Sequence, residues 1–312
     1  MSSTISKKTE LLFVYDIENA NPNGDPLNEN RPRFDPETNT ALVSDVRLKR
    51  TIRDYWYEYE GYNGQNGKDI FVRESFYKDE KDPLKSYVKD GKKRASDFGN
   101  RAKDILDTCI DIRVFGGVIP LDKDSITCTG PVQFQMGRSL NKVEIVTEQG
   151  TGAFASNEKM KQATFRTEYK LPYAVIGFNG IINDKAAEKT GMTDDDQKLL
   201  VKGIWEGTKS LISRSKFGQK PLLLLAVTFK DSFYLGGLRQ KLGLVSEMNE
   251  EAIRSTNDYS LDLTGVMASL NSVSDKIASI EVRIDPTLKV VVDGKQVKVK
   301  EGISDSVAGL LA

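Results

Sequence analysis

Short runs of apolar residues recur along the chain at the lengths of buried strands. Glu10–Ile17 is apolar and aromatic and ends at a turn-rich loop, which predicts a central strand. Tyr169–Phe178 and Pro221–Phe229 have the same character and predict two more core strands. Further strands are predicted at Cys109–Gly117, Ser125–Met136, Ile277–Ile284, Lys289–Val292 and Gln296–Val299. The pattern predicts a core rich in β-sheet.

Two segments show helical periodicity instead. At about 100° per residue, the segment after Ser44 has one apolar arc, and the rest of its surface is mostly basic. The apolar arc holds Leu48, Ile52, Tyr55, Trp56 and Tyr59, and the basic surface holds Arg47, Lys49, Arg50 and Arg53. Ser44 is the expected N-cap and the helix is expected to end near Tyr59. A second helix is predicted from Asp194 to about Ile212, with acidic residues at its positive end.

The order of these elements predicts an α+β fold of the ferredoxin-like type with large insertions. Residues 61 to about 108 are polar and rich in Lys, Asp and Gly, which is typical of an appendage on a core. Residues 137–166 also contain few residues that could build a core. This segment is predicted to be a protruding hairpin. Asp293 and Gly294 supply a turn between the last two strands.

Composition limits the possible partners and chemistry. The chain of 312 residues has 45 basic and 45 acidic side chains, so a polyanion would have to be held at a specific groove rather than by the field of the whole molecule. A solvated helix exterior explains the basic surface of the first helix as well as nucleic-acid contact does. No apolar stretch approaches 18 residues and the start lacks a signal-peptide core, so we expect a cytoplasmic protein.

Several kinds of catalytic site are excluded by residue type or spacing. The chain has no histidine, which removes Ser-His-Asp and Cys-His triads and histidine-ligated zinc. Cys109 and Cys128 lack metal-binding spacing and are expected to be reduced thiols. Gly67 and Lys68 do not belong to a phosphate loop, because the required preceding glycine is replaced by Tyr62. We expect no cofactor and no bound metal.

Carboxylates near the first loop leave one catalytic alternative open. Asp16, Asp25, Asp35 and Asp45 could converge as oxygen ligands of a metal-dependent nuclease. Asp25 and Asp35 also stand in Asp-Pro turn sequences, and Asp45 stands in the first turn of a helix, which are ordinary structural uses. Structural roles are therefore the favoured interpretation.

Basic residues beside aromatic or flexible neighbours suggest single-stranded RNA as the ligand, because RNA needs cations along its phosphates and apolar surfaces against its unstacked bases. These residues are Arg31 and Arg33 in the first loop, Arg47 to Arg53 on the helix, Arg138, Lys159, Lys161 and Arg166 in the hairpin, and Arg214 and Lys216. Phe154 and Met160 could be either a small hairpin core or a wedge against a base.

Taken in order, these motifs resemble the CRISPR-associated Cas7 family, and within it the Csh2 type of type I-B systems. The resemblance rests on Leu12–Asp16, Asn21–Pro26, Asn30–Arg33, Asp35–Thr38, Ser44–Arg53, Asp111–Gly116, Gly130–Asn141 and Arg214–Pro221. It is weaker in residues 61–108 and after about residue 230.

The resemblance implies an RNA-recognition-motif-like palm with a finger insertion and a thumb β-hairpin. Residues 1–60, 109–138 and 169–312 would form the palm, residues 61–108 the fingers and residues 139–168 the thumb. Copies of such a protein stack head to tail along a guide RNA (crRNA) in the Cascade interference complex, where the guide pairs with a target DNA strand. Other subunits of the Cas5, Cas8, Cas6 and Cas11 types complete that complex.

The resemblance also assigns roles to individual residues. The RNA-binding set is Asn21, Asn23, Arg31, Arg33, Arg47, Lys49, Arg50, Arg53, Arg138, Lys159, Lys161, Arg166, Arg214 and Lys216. Phe154 and Met160 are the candidates for the thumb wedge that displaces a base. Type I relatives are not expected to cleave RNA, so the chain is expected not to be an enzyme. The alternative is an endoribonuclease of the type III kind that uses Asp25 or Asp35.

Overall fold

A computed structural model describes residues 3–79, 82, 84–121, 124–151 and 165–311. The strands are β1 (Thr9–Ala20), β2 (Gly24–Asp25), β3 (Arg31–Pro32), β4 (Phe34–Asp35), β5 (Thr40–Val43), β6 (Phe76–Lys78), β7 (Ser86–Val88), β8 (Gly116–Pro120), β9 (Ser125–Thr129), β10 (Val132–Phe134), β11 (Gly137–Ser139), β12 (Val146–Thr151), β13 (Phe165–Ile182), β14 (Gln219–Phe229), β15 (Gly243–Val245), β16 (Ser260–Asp262), β17 (Ile277–Ile284), β18 (Val290–Val292), β19 (Lys295–Val297) and β20 (Gly302–Ser304). The α-helices are α1 (Asp45–Tyr59), α2 (Gly91–Ser96), α3 (Ala102–Thr108), α4 (Ile110–Phe115), α5 (Asp184–Thr190), α6 (Asp194–Lys209) and α7 (Thr264–Asn271).

A large antiparallel sheet forms the centre of the fold. Its strand order is β20-β17-β14-β1-β13-β11-β5-β4, and β10 and β12 also pair with β13. The central position of β1 and the strands predicted around Tyr169–Phe178, Pro221–Phe229 and Ile277–Ile284 are confirmed. The expected α+β class is confirmed as well.

Both faces of the sheet are covered, which explains why β1 is apolar without alternation. Successive side chains of a strand point to opposite faces. Phe13 and Tyr15 pack into one core with α1 and α6. Leu12 and Val14 pack into a second core, to which residues between Leu238 and Leu310 contribute.

Helices α1 and α6 confirm the two predicted helices. The apolar arc of α1 is buried through Leu48, Ile52, Tyr55 and Trp56, but Tyr59 was wrongly included, since it is 64% exposed in the last turn. Helix α6 ends at Lys209 rather than near Ile212, and a capping box between Thr193 and Asp196 begins it. The N-cap of α1 is Ser44, as predicted, although its side chain makes no capping hydrogen bond.

Two predicted strands were wrong in extent or type. Cys109–Gly117 is mostly helix α4, and only its last two residues belong to a strand, β8. Ser125–Met136 forms two strands, β9 and β10, because the chain turns at Gly130, which lies too close to the Phe115 backbone to carry a side chain. None of the described helices is long and apolar enough to cross a membrane.

Part of the polar segment after residue 60 has a small core of its own. Phe71, Ala95 and Ile105 pack there together with Cys109 and Ile112. This core therefore includes residues beyond 108. Cys109 and Cys128 are both free thiols, and burial raises the pKa of each.

Candidate nucleic-acid interface

A short β-hairpin, β2 and β3, follows the end of β1 and lies against the start of α1. Asn23 Oδ1 accepts a hydrogen bond from Ser44 N at 2.8 Å, and the Asn23 carbonyl accepts one from Arg33 N at 3.0 Å. Asn21 Nδ2 donates to the Asn30 carbonyl at 2.7 Å. The two asparagines, both predicted to bind RNA, thus shape the loop that carries Arg31 and Arg33.

The basic surface of α1 is largely neutralised by neighbouring carboxylates, which corrects the expectation of a concentrated cationic face. Three of its four cations form ion pairs: Lys49 with Asp45 at 3.0 Å, Arg50 with Asp54 at 2.6 Å, and Arg53 with Asp111 at 3.0 Å. Lys49 and Arg53 are also largely buried. Phosphate binding by Lys49, Arg50 and Arg53 stays a prediction. Each cation would have to share its carboxylate partner with the phosphate or break the ion pair.

Arg47 and Lys216 differ from the other predicted cations. Neither has a carboxylate within 4.0 Å among the described residues. Arg47 donates through Nη2 to Thr51 Oγ1 at 2.8 Å, and Lys216 donates through Nζ to the Asn21 carbonyl at 3.0 Å. The Nε atom of Arg47 is buried without a hydrogen-bond partner in the described part of the chain.

Burial and mutual repulsion act on this pair. Burial lowers the pKa of Arg47, and burial followed by the charge of Arg47 lowers the pKa of Lys216. Two partly buried positive charges that lie close together without a bound carboxylate form a favourable place for an anion.

Arg31 lies on strand β3 of the hairpin, and Arg33 follows directly after that strand. The Arg31 guanidinium lies 4.4 Å from the ring centre of Tyr169 and donates to its hydroxyl at 3.2 Å. Glu29 also accepts from Arg31, at 3.2 Å, and Arg33 lies 3.5 Å from Asp25. Within the described residues, the Nε atoms of both arginines are buried and unpartnered.

A cleft of about 420 Å³ lies between the hairpin, the loop after α6 and the base of the β12 and β13 hairpin. Its lining includes Asn21, Asn30, Tyr169, Lys170, Arg214 and Ser215. Arg214 is well exposed and pairs with Glu168 at 3.0 Å. The structure thus brings Asn21 and Arg214 together at one opening, and Arg31 contacts Tyr169 in its lining.

Arg138 lies elsewhere, on the opposite face of the sheet, where it pairs with Asp35 at 2.9 Å. Arg239 was not among the predicted RNA-binding residues. It lies beside Arg138, with a buried Nε atom that has no partner among the described residues. The basic sequence Arg239-Gln-Lys241, one residue after Gly236-Gly237, was the available signal.

The four carboxylates considered for a nuclease have separate partners. Asp16 accepts a hydrogen bond from the Tyr173 hydroxyl at 2.6 Å, and Asp45 is paired on α1. Asp25 accepts from Leu27 N at 3.2 Å, as expected for a turn. The Arg138 hydrogen bond lowers the pKa of Asp35. No group of three potential metal ligands occurs within the described ranges.

Phe154, Lys159, Met160 and Lys161 lie outside the described residues, as does the side chain of Arg166. Their predicted roles in RNA binding and base displacement stay predictions.

Fold and site together define a mixed α+β protein with a large antiparallel sheet and a partly buried cationic surface at one end of it. The family described as CRISPR-associated protein Cas7 matches residues 7–264. The chain belongs to this family. It is 31% identical over 325 residues to the CRISPR-associated protein Cas7 of Haloferax volcanii, a match covering 96% of this chain and 93% of the relative.

Two solved structures share the fold. A chain of a CRISPR RNA-guided surveillance complex in a pre-nicking state is similar, with a TM-score of 0.53 and 12% identity over 92% of this chain and 96% of that one. A chain of another CRISPR RNA-guided surveillance complex has a TM-score of 0.51 and 12% identity, with 92% and 95% of the two chains covered. At this identity the likeness concerns the fold alone.

Proposed function

We propose that the chain is a non-catalytic, guide-RNA-binding subunit in the backbone of a Cascade-type complex, of the Csh2 type of type I-B systems. Membership of the Cas7 family supports the general role. The observation that carries the RNA-binding part is the Arg47 and Lys216 pair, which has two partly buried cations and no ion-pair partner among the described residues.

In this proposal a guide phosphate binds between Arg47 and Lys216. A guanidinium suits phosphate because its N–H groups match two oxygens at once, and a lysine adds a compact charge. An anion there would also accept a hydrogen bond from the unpartnered Nε of Arg47. The cost of burying the two charges together would then be offset by the ligand.

The neighbouring cleft suits the unpaired part of an RNA strand. Tyr169 has an aromatic ring at the opening, and single-stranded bases stack on such rings. Arg31 already lies over this ring, so the pair could bind a base and its phosphate. Arg33 and Arg214 would extend the contacts along the strand.

The remaining architecture follows the same proposal. The sheet with α1 and α6 corresponds to an RNA-recognition-motif-like palm, residues 61–108 to the fingers and residues 139–168 to the thumb. Phe154 and Met160 are the proposed base-displacing residues of the thumb. Copies would contact one another head to tail in the cytoplasm, with Cas5, Cas8, Cas6 and Cas11 types as further subunits and a target DNA strand paired to the guide.

The phosphate site is tested with the double variant Arg47→Gln and Lys216→Gln. Affinity for single-stranded RNA is measured between 50 and 200 mM salt. Removing two phosphate contacts should lower the slope of log K against log salt by about 1.4, since each contact contributes roughly 0.7 on a single strand. Affinity should fall about 100-fold, or about tenfold per charged contact.

The matched control is Lys185→Gln with Lys198→Gln, which removes the same charge from two exposed lysines paired with Glu188 and Asp195. It should leave both slope and affinity close to those of the original protein. If the double variant of Arg47 and Lys216 folds normally and binds RNA like this control, the proposed phosphate site is wrong.

The absence of catalysis is tested separately, because Asp25 and Asp35 remain the candidates for the alternative ribonuclease. Labelled RNA should stay intact with Mg²⁺ or Mn²⁺ at protein concentrations that bind it completely. Cleavage that is lost in Asp25→Asn or Asp35→Asn would overturn the non-catalytic assignment.

A further inference from the structure

A second pair of basic residues lies on the face of the sheet opposite Arg47 and Lys216. Arg138 on β11 is directly opposite Gly177 on β13. Gly177 has no side chain, and the Cγ atom of Arg239 fills that space, 3.0 Å from where a Cβ atom would stand. Arg239 thus reaches across the sheet toward Arg138.

The charges of this pair are only half compensated. Asp35 binds Arg138 at 2.9 Å, while Arg239 has no ion pair among the described residues. Burial lowers the pKa of Arg239, and the charge of Arg138 lowers it further. Its Nε atom is buried and donates to nothing in the described part of the chain. Of the two guanidinium groups, only that of Arg138 therefore has a carboxylate partner among the described residues.

Apart from Asp35, the side chains around the pair include amide groups that can donate. Asn179 donates through Nδ2 to Gln135 Oε1 at 3.0 Å and to Gln240 Oε1 at 2.8 Å. Because both glutamine oxygens are engaged, their Nε2 groups are left for an outside acceptor. Asn179 Oδ1 also accepts from Arg239 N at 2.8 Å, which fixes the turn that carries this arginine. Two guanidinium groups and two amides suit a ligand with several anionic oxygens.

The position in the sheet connects this pair with the hairpin. Leu42 on β5 donates its N–H to the Arg33 carbonyl at 2.9 Å and is paired with Arg138 across the sheet. Arg33, Leu42, Arg138 and Gly177 therefore form one row, with about 4.8 Å between neighbouring strands. A nucleic-acid strand at the hairpin passes close to Arg138.

We propose that Arg138 and Arg239, with the amides of Gln135 and Gln240, bind a phosphodiester group of nucleic acid at a second site, on the opposite face from Arg47 and Lys216. This inference rests on the proposed function. The phosphodiester belongs either to the guide itself or to a strand paired with it, since the chemistry of the group is the same in both.

The test compares Arg239→Gln with Lys241→Gln, which removes an exposed charge two residues away. Binding is measured to a single-stranded RNA and to the same RNA paired with complementary DNA, each across a salt series. Arg239→Gln should bind about tenfold more weakly than the control in at least one arm. Its salt slope should fall by about 0.7 with single-stranded RNA. Weaker binding that is already seen with single-stranded RNA assigns the phosphodiester to the guide. Weaker binding that is seen only with the hybrid assigns it to the paired strand.

Gly177→Ala provides a second variant that keeps every charge. The added methyl group competes with Arg239 Cγ for the same space, so Arg239 must move and binding should weaken in the same arm. Circular dichroism and thermal unfolding identify variants that fail to fold.

Two results overturn the second site. One is binding by Arg239→Gln that equals Lys241→Gln in both arms. The other is a change in self-association of the RNA-free protein without a change in nucleic-acid binding, which would identify an acidic group of another copy as the partner. If Arg47→Gln with Lys216→Gln loses RNA binding while Arg239→Gln does not, the proposed function stands and this inference fails. If that double variant binds RNA normally, the first phosphate site fails instead.

Discussion

Whether a charged side chain can bind a ligand depends on partners that the sequence reveals only when they are close. Lys49 and Arg50 each have an aspartate four residues away, so their pairing could have been anticipated from helix geometry. The partner of Arg53 is 58 residues away, and nothing local indicates it. The proximity of Arg47 and Lys216 likewise depends on the tertiary fold. The sequence therefore identified the cations, but only the structure separated the paired from the unpaired ones.

Asp16 provides a prediction at this scale. Burial raises its pKa to about 6, partly opposed by the Tyr173 hydrogen bond. Since the folded state holds this proton more tightly than the unfolded state, the contribution to stability is complete below about pH 4 and is lost as pH rises through 6. A shift of this size corresponds to roughly 3 kcal/mol.

Asp16→Asn cannot ionise and can still accept from Tyr173. Its free energy of unfolding, measured in urea, should therefore rise relative to the original protein between pH 4 and pH 7.5, by roughly 1 to 3 kcal/mol. Carboxylates with lowered pKa values that do not interact with Asp16, such as Asp97, act equally in both proteins and cancel in the comparison. A difference that stays constant with pH would show that Asp16 is not buried in this way.

Helices and strands were predicted well where a single buried face determined the pattern of apolar residues. Helix α1 has one apolar arc against one core, and its start and end were both predicted. Helix α4 was mistaken for a strand because Ile110, Ile112 and Val114 alternate with polar residues. In the structure Ile110 and Val114 pack into the central core while Ile112 packs into the small core of the polar segment. A sequence cannot show that two cores lie on either side of one short helix.

Asp111 in α4 connects three elements and yields a prediction. Its carboxylate is fully buried and accepts from Arg53 Nε at 3.0 Å, Phe71 N at 2.7 Å and Val72 N at 3.0 Å. Asp111→Ala would leave these donors without their acceptor, and Arg53 and Phe71 are largely buried. Stability in urea should fall by about 3 to 5 kcal/mol, and proteolysis between residues 61 and 108 should become faster.

The control for Asp111 is Asp54→Ala, which removes a carboxylate paired with another arginine of α1. Both side chains of that pair are well exposed, so the loss should be below about 1 kcal/mol. Equal losses in the two variants would contradict the structural role of Asp111.

Strand β11 supplies a second prediction about elements. A Cβ atom on Gly137 would stand 2.4 Å from the Phe178 ring, which is fully buried in the central core. Gly137→Ala should therefore destabilise the protein by about 1 to 3 kcal/mol in urea. Gly150→Ala, where an added Cβ atom meets nothing within 4 Å, is the matched control. A Gly137→Ala protein as stable as this control would mean that β11 lies farther from β13.

For the whole molecule, the α+β class and the central place of β1 could be predicted, because a long apolar strand has few positions other than the buried middle of a sheet. The second cationic pair could not, since Arg138 and Arg239 meet only through the order of strands β11 and β13 and a turn far along the chain. Overall neutrality, with 45 charges of each sign, was informative from the start. It means that the proposed RNA binding must come from a few local contacts and not from the field of the molecule.

The proposed function includes head-to-tail contacts between copies along the RNA. Such contacts do not close into a ring of fixed size, so the RNA length should determine how many copies assemble. Native mass spectrometry with single-stranded RNAs of increasing length should show masses that rise by whole protomers, and nuclease treatment should reverse the assembly. The Arg47→Gln and Lys216→Gln variant should remain at the RNA-free size, whereas Lys185→Gln with Lys198→Gln should assemble normally. A mass independent of RNA length, or multimers that persist after the RNA is digested, would show that protein contacts alone set the assembly.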